Sequence, residues 1–210
     1  MEEKKSQTTY KKALKERILD TAMVAFSQKG VKAVKMDDIA QALSISKRTL
    51  YELYDNKELL LFEGVAKYKA IKEREVQQIL AESPNVMDMV LKLYRQKIME
   101  LKMTSPLFYA DIERYPRVVE FLQKDKEVSH KLFLEFLQRG VKENYFSKDL
   151  DYELISQIFS VLTNYVFTSQ LYTKHSLRHI FYNMVFVTLR GICTQKGIEI
   201  LDRSLSSESE

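Results

Sequence analysis

Residues Met36 to Lys57 read M-D-D-I-A-Q-A-L-S-I-S-K-R-T-L-Y-E-L-Y-D-N-K, and the reading of this stretch decides the fold. Ile39, Ala40 and Leu43 form one apolar face at helical spacing, and Leu50, Leu53 and Tyr54 form another. The four residues between them, Leu43-Ser44-Ile45-Ser46, leave room only for a tight turn. Ser46 is placed to cap the second helix, its hydroxyl accepting from a free N–H of the first turn. Small Ala40 lets the second helix cross closely over the first, and Ile45 and Leu50 fill the space under the crossing. Two short helices meeting in this way make a helix-turn-helix, a motif whose second helix fits the DNA major groove.

The longer run Gly30 to Leu60 resembles the N-terminal domain of the tetracycline-repressor (TetR) family of bacterial regulators. The marks are Asp38-Ile39-Ala40, Ser46-Lys47, Thr49-Leu50-Tyr51 and Lys57-Glu58-Leu59-Leu60, in that order. The match is good over residues 11 to 64, and beyond them only the helical layout agrees. The resemblance implies an all-α fold of about nine helices. A three-helix DNA-binding domain over residues 11–60 would be followed by an effector-binding and dimerisation domain over 61–201. It also implies a homodimer on a palindromic operator of double-stranded DNA, released by a small molecule.

Within the motif, Lys47, Arg48 and Thr49 open the recognition helix, the end that meets base edges in such complexes. Arg48 suits guanine, through paired bonds to O6 and N7. Thr49 could bond a phosphate or pack its methyl on thymine. Tyr51 resembles the family tyrosine that contacts the DNA backbone, and Lys57 the family lysine that meets phosphate. Three positions depart from the family pattern. Ser44 stands where glycine is usual, at a cost of about 1 kcal/mol if its φ is positive. Lys35 replaces a capping threonine and becomes a potential phosphate ligand, while Asp37 and Asp38 complement the helix N-terminus. Glu52-Leu53 replaces an aromatic or polar pair; a glutamate there is repelled by phosphates unless it accepts from a cytosine amino group. The DNA contacts expected are therefore Lys35, Ser46, Lys47, Arg48, Thr49, Tyr51 and Lys57, with an operator that cannot be borrowed from a relative.

Composition bounds the class. The 210 residues are 45% apolar and 30% charged, as in an ordinary soluble protein of one or two domains. Five Gly and three Pro suit long helices. No run reaches the roughly 20 apolar residues of a membrane span, and Met-Glu-Glu-Lys-Lys is no secretion signal. One cysteine allows no internal disulfide, which suits a reducing cytoplasm. Residues 1 to 60 carry twelve Lys/Arg against nine Asp/Glu, so an excess of three of the chain's net +4 lies with the motif. That agrees with phosphate binding without establishing it.

Working outward, residues 1–10 read as a flexible arm whose Lys4 and Lys5, with Lys11 and Lys12 just beyond it, could reach a neighbouring groove. Glu2 and Glu3 offset that charge, so a solubilising tail is the alternative. Lys11 to Lys29 reads as the first helix, ended by Gly30. A long helix runs from Asn56 to about Ala81, then Val86 to Met103, Leu107 to Arg114, Val118 to about Asn144, Tyr152 to Tyr172 and Ser176 to Lys196. The Ser/Glu-rich segment 202–210 reads as a disordered tail.

The last two helices are apolar over more than one stripe. The family builds its dimer from this pair, which nominates Ile155, Phe159, Leu162, Phe181, Met184, Val185 and Leu189, although part of the set must be core. An aromatic-lined effector pocket is expected from Tyr94, Phe108, Tyr109, Phe133, Phe136 and Tyr165, for an apolar or aromatic ligand. Core packing is the alternative for each of them.

No nucleophile elbow, phosphate-cradling glycine loop or HExxH is present, so no catalytic residue and no cofactor is assigned. His175 and His179 have a metal-sharing spacing. Ser176, however, would cap the helix between them, and no third ligand is apparent. Cys193 reads as a buried small residue. The expected protein is a repressor released by an effector. A regulator controlled by a protein partner, or an activator, remains the alternative.

Overall fold

The computed structural model describes residues 2–124 and 126–206. Eleven α-helices follow one another among the described residues: α1 (Glu2–Lys29), α2 (Met36–Ala42), α3 (Lys47–Tyr51), α4 (Lys57–Glu82), α5 (Val86–Met103), α6 (Pro106–Ile112), α7 (Pro116–Gln123), α8 (Lys126–Lys142), α9 (Tyr152–Thr168), α10 (Leu177–Ile192) and α11 (Gln195–Ser206). A single 3-10 turn, Leu171–Thr173, separates α9 from α10. An isolated antiparallel bridge joins Phe146 to Cys193.

The count exceeds nine because two long helices are each divided. Residues 118–144 fall into α7 and α8. The last apolar helix stops at Ile192, where Cys193 turns extended (φ −72°, ψ 144°) and the chain restarts as α11. Both termini carry more helix than expected. The arm foreseen over residues 1–10 forms, from Glu2 onward, the first turns of α1, in keeping with the helix propensity of its Glu, Lys and Gln. The side chains of Lys4 and Lys5 lie outside the described ones. The segment foreseen as a disordered tail from 202 is helical through Ser206, and residues 207–210 lie outside the described residues.

The chain divides into two compact units, residues 1–73 with 103–122, and residues 74–102 with 123–210. This differs from a boundary at 60/61: the first unit takes in α4 as far as Glu73 and also α6 and α7. Its core is built on Ile18, Ala22 and Phe26 of α1, Ile39 and Ala40 of α2, Leu50 and Tyr54 around α3, and Leu60 and Leu61 of α4. Val118 of α7 completes it. Two short helices cannot supply a core of their own, and these partners supply it.

Gly30 ends α1 with φ +81°, its N–H donating to Phe26 O at 2.9 Å. A Cβ at Gly30 would come within 2.9 Å of Asp111 Oδ2, so the site needs glycine for both space and conformation. Asp111 of α6 is buried, and its carboxylate accepts from the Lys32 N–H at 2.7 Å. Ser105 N–H donates to Ser27 O at 2.7 Å. Together these bonds fasten α6 to the end of α1 and the loop that leads into α2.

The second unit packs α5, α8, α9, α10 and α11 around Val86, Val90, Tyr94, Leu137, Phe146, Ile192 and Leu201. Stacked rings run through it: Tyr94 on Phe181 at 5.9 Å, and Phe133 on both Phe136 at 6.0 Å and Phe159 at 5.9 Å.

Candidate nucleic-acid interface

Leu43 and Ser44 turn the chain out of α2. Ser44 sits in the left-handed region (φ 54°), with its N–H bonded to Gln41 O at 3.0 Å. Ile45 N–H then reaches Ala40 O at 3.0 Å, which tightens the turn. Ser46 caps α3 through its Oγ, which accepts from Thr49 N–H at 3.0 Å and lies 2.8 Å from Thr49 Oγ1. Leu50 and Tyr54 are fully buried beneath α3. With α3 so anchored, Lys47 and Arg48 are directed outward, and Tyr51 is 46% exposed beside them.

Carboxylates accompany both cations. Lys47 Nζ pairs with Asp37 Oδ2 of α2, and this bond holds the ammonium above the ordinary lysine range. Arg48 Nε donates to Glu52 Oε1 at 2.9 Å, one turn along. Both pairs are solvent-exposed, so they orient side chains more than they stabilise the fold. Lys35 stands exposed at the N-cap of α2, where its N–H donates to Asp38 Oδ2 at 2.9 Å. Asp38, the third residue of the helix, thus makes the reciprocal half of a capping box, while the Lys35 side chain caps no helix N–H.

Lys57 differs from the expectation. Its ammonium donates to Val31 O at 2.9 Å and Val34 O at 3.0 Å, tying the start of α4 to the loop ahead of α2. Two of its three donors are thereby used. Asn56 caps α4, accepting from Leu59 N–H at 2.8 Å. Six of the expected contacts, Lys35, Ser46, Lys47, Arg48, Thr49 and Tyr51, are gathered on α2, the turn and α3. The partners Asp37 and Glu52 were not foreseen; the i, i+4 spacing of Arg48 and Glu52 was the available signal.

The residues nominated for an effector are divided between the two units. Phe108 and Tyr109 are paired rings of the first unit, 5.7 Å apart. Tyr94, Phe133 and Phe136 are core rings of the second, and Tyr165 is 59% exposed. A void beside Tyr94, Tyr182 and Val185 measures about 10 Å³, room for a single water.

The nominated dimer set also divides. Ile155, Phe181, Val185 and Leu189 pack on the core of the second unit, and Phe159 stacks on Phe133. Met184 is half-buried and Leu162 exposed. The exposed stripe of α9 is instead Leu154, Ile158, Val161, Leu162 and Tyr165, 43% to 67% exposed.

Ser176 Oγ accepts from His179 N–H at 3.2 Å, leaving His175 ahead of α10. Among the described residues no three His, Cys, Asp or Glu are grouped to hold a metal. Cys193 is half-buried, and burial pushes its thiol up to about 11. No helix among the described residues is long and apolar enough to cross a membrane.

Residues 18–63 match the family profile of bacterial regulatory proteins, tetR family. The chain is 24% identical over 147 residues to the HTH-type transcriptional repressor KstR2 of Mycolicibacterium smegmatis, covering 67% of this chain and 71% of that one. It is 44% identical over 45 residues to IcaR, the negative regulator of the biofilm operon icaADBC in Staphylococcus epidermidis, a match spanning 21% and 24% of the two chains. In fold it is similar to KstR2 of Mycobacterium tuberculosis (TM-score 0.59, 18% identity, covering 86% and 95%). A Saccharomonospora viridis regulator solved with choline superposes with TM-score 0.71 at 16% identity, covering 88% of this chain and 100% of that one. A buried-anchored α3 with an outward basic end, in the region that the profile matches, makes the chain a DNA-binding transcriptional regulator whose residues 18–63 form a tetR-family domain.

Proposed function

We propose that the protein is a homodimeric repressor acting in the cytoplasm, holding a palindromic operator until a small molecule releases it. The observation that carries the DNA-reading part is the capped α3, pinned by Leu50 and Tyr54, which offers Lys47, Arg48, Thr49 and Tyr51 to solvent on one rigid support. Lys35 and the remaining donor of Lys57 add cations for phosphate. The relatives named a repressor and a negative regulator support the sign of regulation. Self-association is supported by the α9 stripe, five apolar residues at i, i+4, i+7, i+8 and i+11 that no intramolecular core requires. Two recognition helices about 34 Å apart are what a palindrome demands.

Release follows from helix continuity. α4 begins in the first unit and ends in the second, so an effector that displaces its later turns changes the placement of the recognition helices. Such coupling is typically worth about 1–3 kcal/mol. The void near Tyr94, at about 10 Å³, would admit a ligand larger than water only if its own walls parted. That small volume is also the observation favouring the second reading, a regulator controlled by a protein partner.

In vitro transcription from a promoter carrying the operator separates these readings. Addition of the protein should lower transcript yield, and an apolar or aromatic ligand that raises its melting temperature should restore it. A rise in transcript on adding the protein would make it an activator. Repression that no such ligand relieves would move the control to a protein partner.

A further inference from the structure

The two carboxylates beside the α3 cations stand in opposite electrostatic settings. Asp37 lies in the first turn of α2, where its charge complements the helix N-terminus. Glu52 lies at the C-terminal end of α3, the pole that disfavours an anion, on the face that carries Arg48. The Arg48 and Glu52 side chains are 89% and 59% exposed, so their mutual bond adds little to folding. Phosphates would repel Glu52 as well. A carboxylate so placed weakens DNA binding everywhere except where the groove offers it a donor, and the cytosine N4 amino group is such a donor.

The geometry of the pair keeps both groups open for reading. The bond uses Nε of Arg48 and Oε1 of Glu52. The two terminal nitrogens of the guanidinium therefore remain for guanine O6 and N7, and Oε2 remains to accept from an amino group. Four residues advance a helix by about 6 Å, close to the rise of two base pairs at about 3.4 Å each. We propose that Glu52 is a specificity-determining residue, reading a cytosine within two base pairs of the guanine read by Arg48, with the two side chains acting as a hydrogen-bonded unit. This inference rests on the DNA-reading role of α3 proposed above.

Selection of a randomised half-site library by the full-length protein, with Glu52→Ala, Glu52→Gln and Arg48→Ala alongside, tests it. Wild type should enrich a guanine and, within two base pairs, a cytosine. Glu52→Ala should lose roughly tenfold discrimination at the cytosine and keep the guanine. Glu52→Gln should move the preference there from cytosine to adenine, the base that a glutamine amide pairs with. Arg48→Ala should lose the guanine. An unchanged site with uniformly tighter binding by Glu52→Ala would show that Glu52 only repels. Loss of the guanine in Glu52→Ala, with no change at the cytosine, would make it merely an orienter of Arg48. Either result overturns the proposal and leaves α3 as the reader. Failure of the wild type to enrich any sequence overturns both, and is distinct from the other outcomes.

Discussion

The Lys57 ammonium, expected on phosphate, ties Val31 O and Val34 O to the first turn of α4. Its partners lie 26 and 23 residues earlier in the chain, a pairing that no local spacing reveals. Lys57→Ala should therefore destabilise the first unit by about 2 kcal/mol, as the loss of charge-assisted hydrogen bonds does, measured as a fall in the urea midpoint without DNA. A residue that only met phosphate would leave that midpoint unchanged. Ser44 shows the opposite case, in which sequence is sufficient. The resemblance, which puts glycine at this position, raised the question of a positive φ, and its φ is 54°. Ser44→Gly should stabilise the protein by about 0.5–1 kcal/mol through removal of left-handed strain. The same urea titration checks it, and a lower midpoint would contradict the strain.

At the scale of elements, helix starts were legible wherever a cap is local. Ser46, Ser105 before Pro106, and Ser176 each accept from an N–H two or three residues on. Boundaries set by distant contacts were not legible. The turn between α4 and α5 is held by Arg139 of α8 and by Glu143 just beyond its end: Arg139 donates to Ser83 O at 3.0 Å and to Leu80 O at 3.4 Å, and Glu143 accepts from Val86 N–H at 2.6 Å. Burial works against the Glu143 charge, but the bonds from Val86 and Arg139 outweigh it and hold the carboxyl below the ordinary glutamate value of 4.5. A depressed folded value contributes stability above the unfolded pKa, and that contribution is lost as pH falls through the folded one. The second unit should accordingly lose stability as pH drops below about 4.5. Glu143→Gln should be less stable than wild type at pH 7, with the gap closing under acid. Thermal melts from pH 7 to pH 3 would show it, and a pH-independent gap would remove the carboxylate from the account.

For the molecule as a whole, the motif and the all-helical class were readable because Met36 to Lys57 combines a local pattern with a family resemblance. Which apolar side of α9 stays uncovered was not, because α9 and α10 are apolar on several sides and periodicity alone cannot say which side meets a core. Packing assigns Ile155, Phe181, Val185 and Leu189 inward and leaves Ile158 and Val161 out. Ile158→Glu should therefore yield a folded monomer by sedimentation and weaken operator binding about 10²-fold or more through loss of bivalency. An unaltered dimer would place the interface elsewhere. The central claim, that α3 reads a specific DNA sequence, is tested most directly by fluorescence anisotropy on DNA upstream of the protein's own gene, across a salt series, for wild type and Arg48→Ala. The account predicts tight wild-type binding with a steep salt slope and loss of sequence preference in the variant. Equal, weak binding of both proteins to this and to unrelated DNA would contradict it.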